Sequence, residues 1–202
     1  FENFSTHAMT KIEKEFGTNK FIIAFGSMSK FTPLRALVKT IVWIIRGTPL
    51  MLQIIIVFYG PGLIFGWRAL DRLVAVLIAF VINYACYFSE IYRGGIESIT
   101  KGQYEAAASL SMNKFQTFFH IILPQVVKRV VPASSNEIIT LIKDTSLANV
   151  IAFAEITLKA KQQMQTYSSL MPLFIAGLFY FVLAMILTVI SAAIEKKLDY
   201  YK

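Results

Sequence analysis

Residues 170–194 read LMPLFIAGLFYFVLAMILTVISAAI, about 25 positions without a formal charge, with Tyr167 before them and Glu195-Lys196-Lys197 after. A helix rises about 1.5 Å per residue, so this run is long enough, with some tilt, for a hydrocarbon core about 30 Å thick. Backbone polar groups in lipid must be bonded within the segment, so a membrane-spanning helix is the expected form. Working back toward the N-terminus, the same property recurs. Residues 73–88 are apolar apart from Asn83. Residues 41–67 are apolar but interrupted by Arg46-Gly47-Thr48-Pro49. Pro49 lacks a backbone donor and disfavours helix at Thr48, which predicts a kink, with Arg46 and Gln53 stabilising it. Gly60-Pro61-Gly62 marks the far end of that run, and Gly94-Gly95 ends or turns the segment after 73–88. The poorest candidate is 130–156. It carries Pro132, Ser134, Ser135, Asn136, Glu137 and Thr140 before Lys143-Asp144-Thr145-Ser146, and turns apolar again at Leu147.

Composition supports a bilayer as the solvent. Of 202 residues, 56% are hydrophobic and 16% charged, against about 25% charged in soluble domains. The net charge of +8 sits in clusters at 30–39, 101–129 and 196–202. Placing these in the cytoplasm gives a consistent alternation: out at 60–70, in by 90, out near 150–165, and in at the end. Lys159 and Lys161 run against it. Basic charge of this kind marks membrane sidedness, and no nucleic-acid recognition motif accompanies it. Cys86 lies in an apolar run and reads as a small buried hydrophobe. Phe21–Phe25 is too short to span, and the residues before it lack the basic-then-apolar order of a signal peptide. Residues 1–30 are therefore expected to hold a truncated first span, with 10–16 at the membrane interface. No catalytic constellation appears: His7 and His120 lack metal-ligand spacing, and there is no phosphate-binding loop.

Residues 100–123 differ from the spans. Tyr104, Ala108, Ser111/Met112, Phe115, Phe118/Phe119 and Ile122 recur on one helical face. Thr100 and Gln103 fit a capping box at its start, and Pro124 interrupts it. A helix of this kind either docks in a groove on a soluble partner or lies on the membrane surface.

The ordered string Gly102-Gln103-Tyr104-Glu105-Ala106-Ala107, a small residue at Ser111, then Ile-x-Leu-Pro ending at Leu123-Pro124 resembles the EAA loop of bacterial ABC importer permeases. Arg46-Gly-Thr-Pro-Leu-Met-Leu-Gln53, Ser89-Glu-Ile-Tyr-Arg-Gly-Gly-Ile-Glu-Ser-Ile99 and Asn136-x6-Lys143-Asp-Thr-Ser-Leu147 are similar to elements of the polar amino acid permeases of glutamine, histidine and arginine type. The family has Gly where this chain has Ser111. The resemblance implies an all-α, polytopic membrane helical bundle of the type I ABC importer permease fold, with about four complete spans plus a remnant of a fifth. The transmembrane domain would be 31–202, with the coupling helix within 102–123. It implies a multi-pass transport subunit of the bacterial cytoplasmic membrane rather than an enzyme. ATP and Mg would be bound by a partner ATPase and no cofactor by this chain. The implied partners are ABC ATPase subunits, a second or homologous permease, an extracytoplasmic amino acid binding protein and membrane lipid. Gly102, Gln103, Glu105, Ala106, Ala107, Leu110, Ser111, Leu123 and Pro124 would couple to the ATPase.

Polar groups at membrane depth are candidates for function because burial without partners is costly. An amino acid zwitterion needs donors for its carboxylate and acceptors for its ammonium. Glu90, Asn136, Lys143, Asp144, Thr145, Ser146 and Glu155 are the candidate substrate residues. Glu137 also lies at such depth. Two alternatives stay open: Asp144, Thr145 or Ser146 caps the next helix, and Glu90 forms a local salt bridge with Arg93. Two other functions also fit the spans: a truncated interaction protein that docks an ATPase without transporting, and an ion-coupled secondary transporter.

Overall fold

The computed structural model describes residues 32–68 and 70–198. The readings made for residues 1–30, including the truncated first span and its interfacial segment, lie outside the described residues. The described chain consists of helices α1 (Thr32–Gly47), α2 (Leu50–Phe65), α3 (Arg72–Glu97), α4 (Lys101–Ser109) and α5 (Lys114–Gln116), a π-helical turn (Thr117–Ile122), α6 (Leu123–Asp144), a 3-10 segment (Thr145–Ile151), α7 (Ile156–Tyr167) and α8 (Met171–Leu198). Among the described residues there is no strand. The helices α3 and α8 are each long and apolar enough to cross a membrane, and α1 with α2 makes a third span if the pair is one broken crossing. The 22-residue α6 has the length, but its serines, Asn136 and charged residues dilute its hydropathy.

By internal packing the described residues divide into two compact units, one of 32–47 and 81–130, the other of 48–68, 70–80 and 131–198. In the first, Ile99, Ile122, Val126 and Val130 form a core, with Ile91, Tyr92, Ile96 and Ile121 packed on it. Gly94-Gly95, expected to end the helix, lies inside α3. The reason is a helix contact: a Cβ on Gly95 would stand 2.4 Å from Val130 Cγ2, so only glycine admits this approach. The helix ends at Glu97, where the Arg129 guanidinium donates to the Ser98 carbonyl. Cys86 is buried and free, as expected.

In the second unit, α2 packs on the 3-10 segment, and α7 packs on both the 3-10 segment and α8. The predicted break stands at Thr48-Pro49. The Leu52 and Gln53 amides donate to the Pro49 carbonyl at 3.0 and 3.3 Å. Gln53 Nε2 donates to Thr48 Oγ1 at 2.9 Å and to its carbonyl at 3.2 Å, tying the interrupted strand of backbone to the new helix. The far end of α2 is later than expected. The helix runs through Pro61 and closes at Gly66, whose φ of 66° is the left-handed cap that glycine favours. Asp71 begins α3, its carboxylate accepting from the Leu73 amide at 2.9 Å. Only 6% of the apolar window of α8 is buried within the chain. Its outward apolar surface is that of a helix solvated by lipid or by another helix.

Candidate coupling and substrate sites

The segment 102–123 is two helices joined by a tight turn, where the sequence suggested one. The turn closes α4 with a paired motif: the Ser111 amide donates to the Ala108 carbonyl at 2.9 Å and the Met112 amide to the Ala107 carbonyl at 3.1 Å. This is a Schellman arrangement, and it requires a left-handed residue at Ser111, whose φ is 56°. Ser111 therefore performs the turn for which glycine is the easier residue. The expected capping box at Thr100 is absent. Thr100 is the N-cap of α4 by backbone geometry, but its side chain makes no cap bond. Gln103 is engaged elsewhere, its Oε1 accepting from Gln125 Nε2 at 3.1 Å. The capping box forms instead at α5. Asn113 Oδ1 accepts from the Gln116 amide at 2.8 Å, and Gln116 Oε1 accepts from the Asn113 amide at 3.0 Å. The Asn-x-x-Gln spacing carried that signal in the sequence.

Pro124 does not interrupt the second helix. The π turn ahead of it widens the hydrogen-bond register, with the Leu123 amide donating to the Phe118 carbonyl five residues back. The proline, without an amide of its own, follows inside α6, and Gln125 Nε2 satisfies the Ile121 carbonyl at 2.9 Å. The result is an exposed projection. Ala107 is buried against the unit, while Tyr104, Glu105, Ala106, Leu110, Phe115, Phe118 and Phe119 remain exposed, Leu110 at 74% and Phe115 at 70%. Gly102, Gln103 and Ser111 are also exposed, and Leu123 and Pro124 are half-buried.

Glu90 lies in the first unit, within an ion network. Arg93 Nη2 meets its Oε2 at 2.5 Å and Arg93 Nε its Oε1 at 3.1 Å. The other arm of Arg93 reaches Glu97 at 2.5 Å. Arg46 Nη1 stands 3.9 Å from Glu90, and its guanidinium lies over the Tyr87 ring at 5.1 Å. Tyr87 was not singled out by the sequence.

The remaining candidates lie in the second unit. Asn136 and Lys143 are exposed on α6, and Asp144 is its last residue. Thr145 Oγ1 donates to the Ile142 carbonyl at 2.6 Å. The Ser146 carbonyl accepts from Asn149 Nδ2, and Asn149 Oδ1 accepts from Lys161 Nζ at 3.1 Å. Glu155 caps α7: its two carboxylate oxygens accept from the Thr157 and Leu158 amides, each at 2.6 Å. Tyr180 on α8 donates its hydroxyl to Oε2 at 3.2 Å. The structure thus brings Ser146 to Lys161 through Asn149, and Glu155 to Tyr180. Asn149, Lys161 and Tyr180 are partners that hydropathy alone does not identify. Among the described residues no three His, Cys, Asp or Glu side chains gather as a metal site.

A helical membrane fold carrying an exposed, tightly closed helix pair with Glu-Ala-Ala at its head defines the membrane subunit of a transporter. The chain belongs to the family of binding-protein-dependent transport system inner membrane components, which matches residues 21–200. It is 39% identical over 178 residues to the arginine transport system permease protein ArtQ of Bacillus subtilis (strain 168), covering 88% of this chain and 81% of that protein. It is also 39% identical over 183 residues to the L-cystine transport system permease protein TcyB of the same organism, covering 89% and 77%. Among solved structures, a chain of an amino acid ABC transporter crystallised with histidines superposes with a TM-score of 0.82 at 30% identity, covering 96% of this chain and 91% of that one.

Proposed function

We propose that this chain is the permease subunit of a bacterial importer for polar amino acids, and that α4 with its turn is the element gripped by an ATPase subunit. The exposed projection carries the reading: Glu105, Ala106 and Leu110 face outward while Ala107 anchors the same helix inward. The apolar side chains offer a groove-filling face, and the small Ala106 permits close approach. The projection is braced at Ala107, through Gln103 to Gln125, and by Ile122 in the core. A displacement of α4 by the ATPase would therefore reach α6 with little slack. A second or homologous permease would complete the path, and an extracytoplasmic binding protein would deliver the ligand. ATP and Mg would be held by the ATPase chain.

Polar amino acids are proposed as substrates because the arginine and cystine permeases are similar over most of their length. Asn136, Lys143, Asp144, Thr145, Ser146 and Glu155 supply donors and acceptors around the end of α6, while the Glu90 carboxylate, already held by Arg93, offers less to a substrate ammonium. The test is the reconstituted complex. Ligand-dependent ATPase stimulation and uptake are expected for a polar amino acid. Uptake that persists with a hydrolysis-dead ATPase overturns the reading. Glu105→Lys reverses a charge on the docking face and is expected to weaken ATPase association about tenfold or more. Undiminished association and uptake in that variant overturn the docking role of α4.

A further inference from the structure

The first unit contains an open cavity of about 420 Å³ between α1 and α3, outside the coupling projection. Lys39, Trp43 and Arg46 line it from α1, where positions i, i+4 and i+7 share one face. Thr40 adds a hydroxyl, and Glu90 with Arg93 forms the opposite wall. The charges do not balance. Glu90 is engaged by Arg93 at 2.5 Å, leaving Arg46 at 3.9 Å with 43% of its side chain exposed. Lys39 forms no ion pair among the described residues. Trp43 stands at the rim, 77% exposed, and Leu37, Ile41 and Ile44 continue an exposed apolar surface along α1.

We propose that this pocket binds the phosphate headgroup of an anionic phospholipid, with the acyl chains along the exposed apolar side of α1. Lys39 and Arg46 supply the charge, Thr40 a hydrogen bond, and the Trp43 indole the amphipathic rim that suits a membrane interface. A zwitterionic amino acid fits less well, because its ammonium needs an acceptor and the Glu90 carboxylate is already held by guanidinium. The inference needs only the membrane location of α1 and α3 and is independent of which solute is carried.

The test uses the full chain carrying Trp67→Phe, in phosphatidylcholine vesicles. Trp67→Phe leaves Trp43 as the only fluorescent indole. An equal small fraction of brominated phosphatidylglycerol or brominated phosphatidylcholine is added. Stronger quenching by the phosphatidylglycerol is expected, and its excess should fall about fivefold in Lys39→Gln and again in Arg46→Gln. Lys39 has no packing role, so its variant remains informative if Arg46→Gln unfolds. Equal quenching by both lipids, or an unchanged preference in Lys39→Gln, overturns the proposal. Inorganic phosphate is tested against chloride at matched ionic strength. A phosphatidylglycerol preference, whether or not phosphate competes with it, supports the lipid; a Trp43 response to phosphate alongside equal quenching by the two lipids assigns the pocket to free phosphate and overturns the lipid reading.

Discussion

Two carboxylates in apolar helical surroundings are neutralised by different means. Glu90, with a side chain 18% exposed, is met by charge: three contacts from Arg93 and a longer one from Arg46. Glu155 is met by backbone: two amides at the start of α7 and one tyrosine hydroxyl. The first solution couples residues on two helices, so removing one charge leaves the others less compensated. The second is local, and the helix that needs the cap supplies the donors. A guanidinium pair is thus open to compensation by a second substitution, and a capped helix end is not.

That difference can be broken experimentally. The largest effect is expected for Glu90→Ala, which leaves Arg46 without its carboxylate and Arg93 with only the more exposed Glu97. A loss of about 2 kcal/mol is expected, below the range for fully buried pairs because these side chains are partly exposed. Thermal unfolding in detergent would show it, and Arg93→Gln added to Glu90→Ala should recover part of the loss. Additive losses in the double variant would show that the pair is not coupled. Glu155→Ala is expected to cost about 1 kcal/mol, the usual value of a lost N-cap, with no recovery on adding Tyr180→Phe. Tyr180→Phe alone is expected to be smallest, about 0.5 kcal/mol, measured in the same unfolding series. A Tyr180→Phe loss equal to that of Glu155→Ala would assign the role of the carboxylate to α8 rather than to the cap of α7.

The features read well from sequence are those decided by a residue's own chemistry. The charge-free run at 170–194 becomes α8 because nothing else satisfies its backbone in lipid, and Pro49 breaks the helix because it lacks a donor. The misread features depend on a distant partner. Gly94-Gly95 looks like punctuation, yet Gly95 is there for Val130, 35 positions away. Thr100 and Gln103 have capping-box spacing, but Gln125 takes the Gln103 side chain. At the candidate substrate residues, burial cost pointed to Glu155 as a polar group at membrane depth. It did not identify the partners of that group, because a capping carboxylate and a ligand-binding one look alike until Thr157, Leu158 and Tyr180 are placed.

The π turn before Pro124 has a consequence for how the segment is read as a wheel. Each residue of an α-helix advances about 100°, so a locally widened turn resets the phase of everything after it. Phe115, Phe118 and Phe119 belong to one phase and are exposed; Ile122, Val126 and Val130 belong to the other and are buried. A single periodic stripe drawn from Tyr104 to Ile122 therefore joins side chains that the molecule sorts to opposite duties. The phase slip, more than the hydrophobicity of any one residue, decides which aromatic groups are offered to a partner and which aliphatic ones are kept for the core.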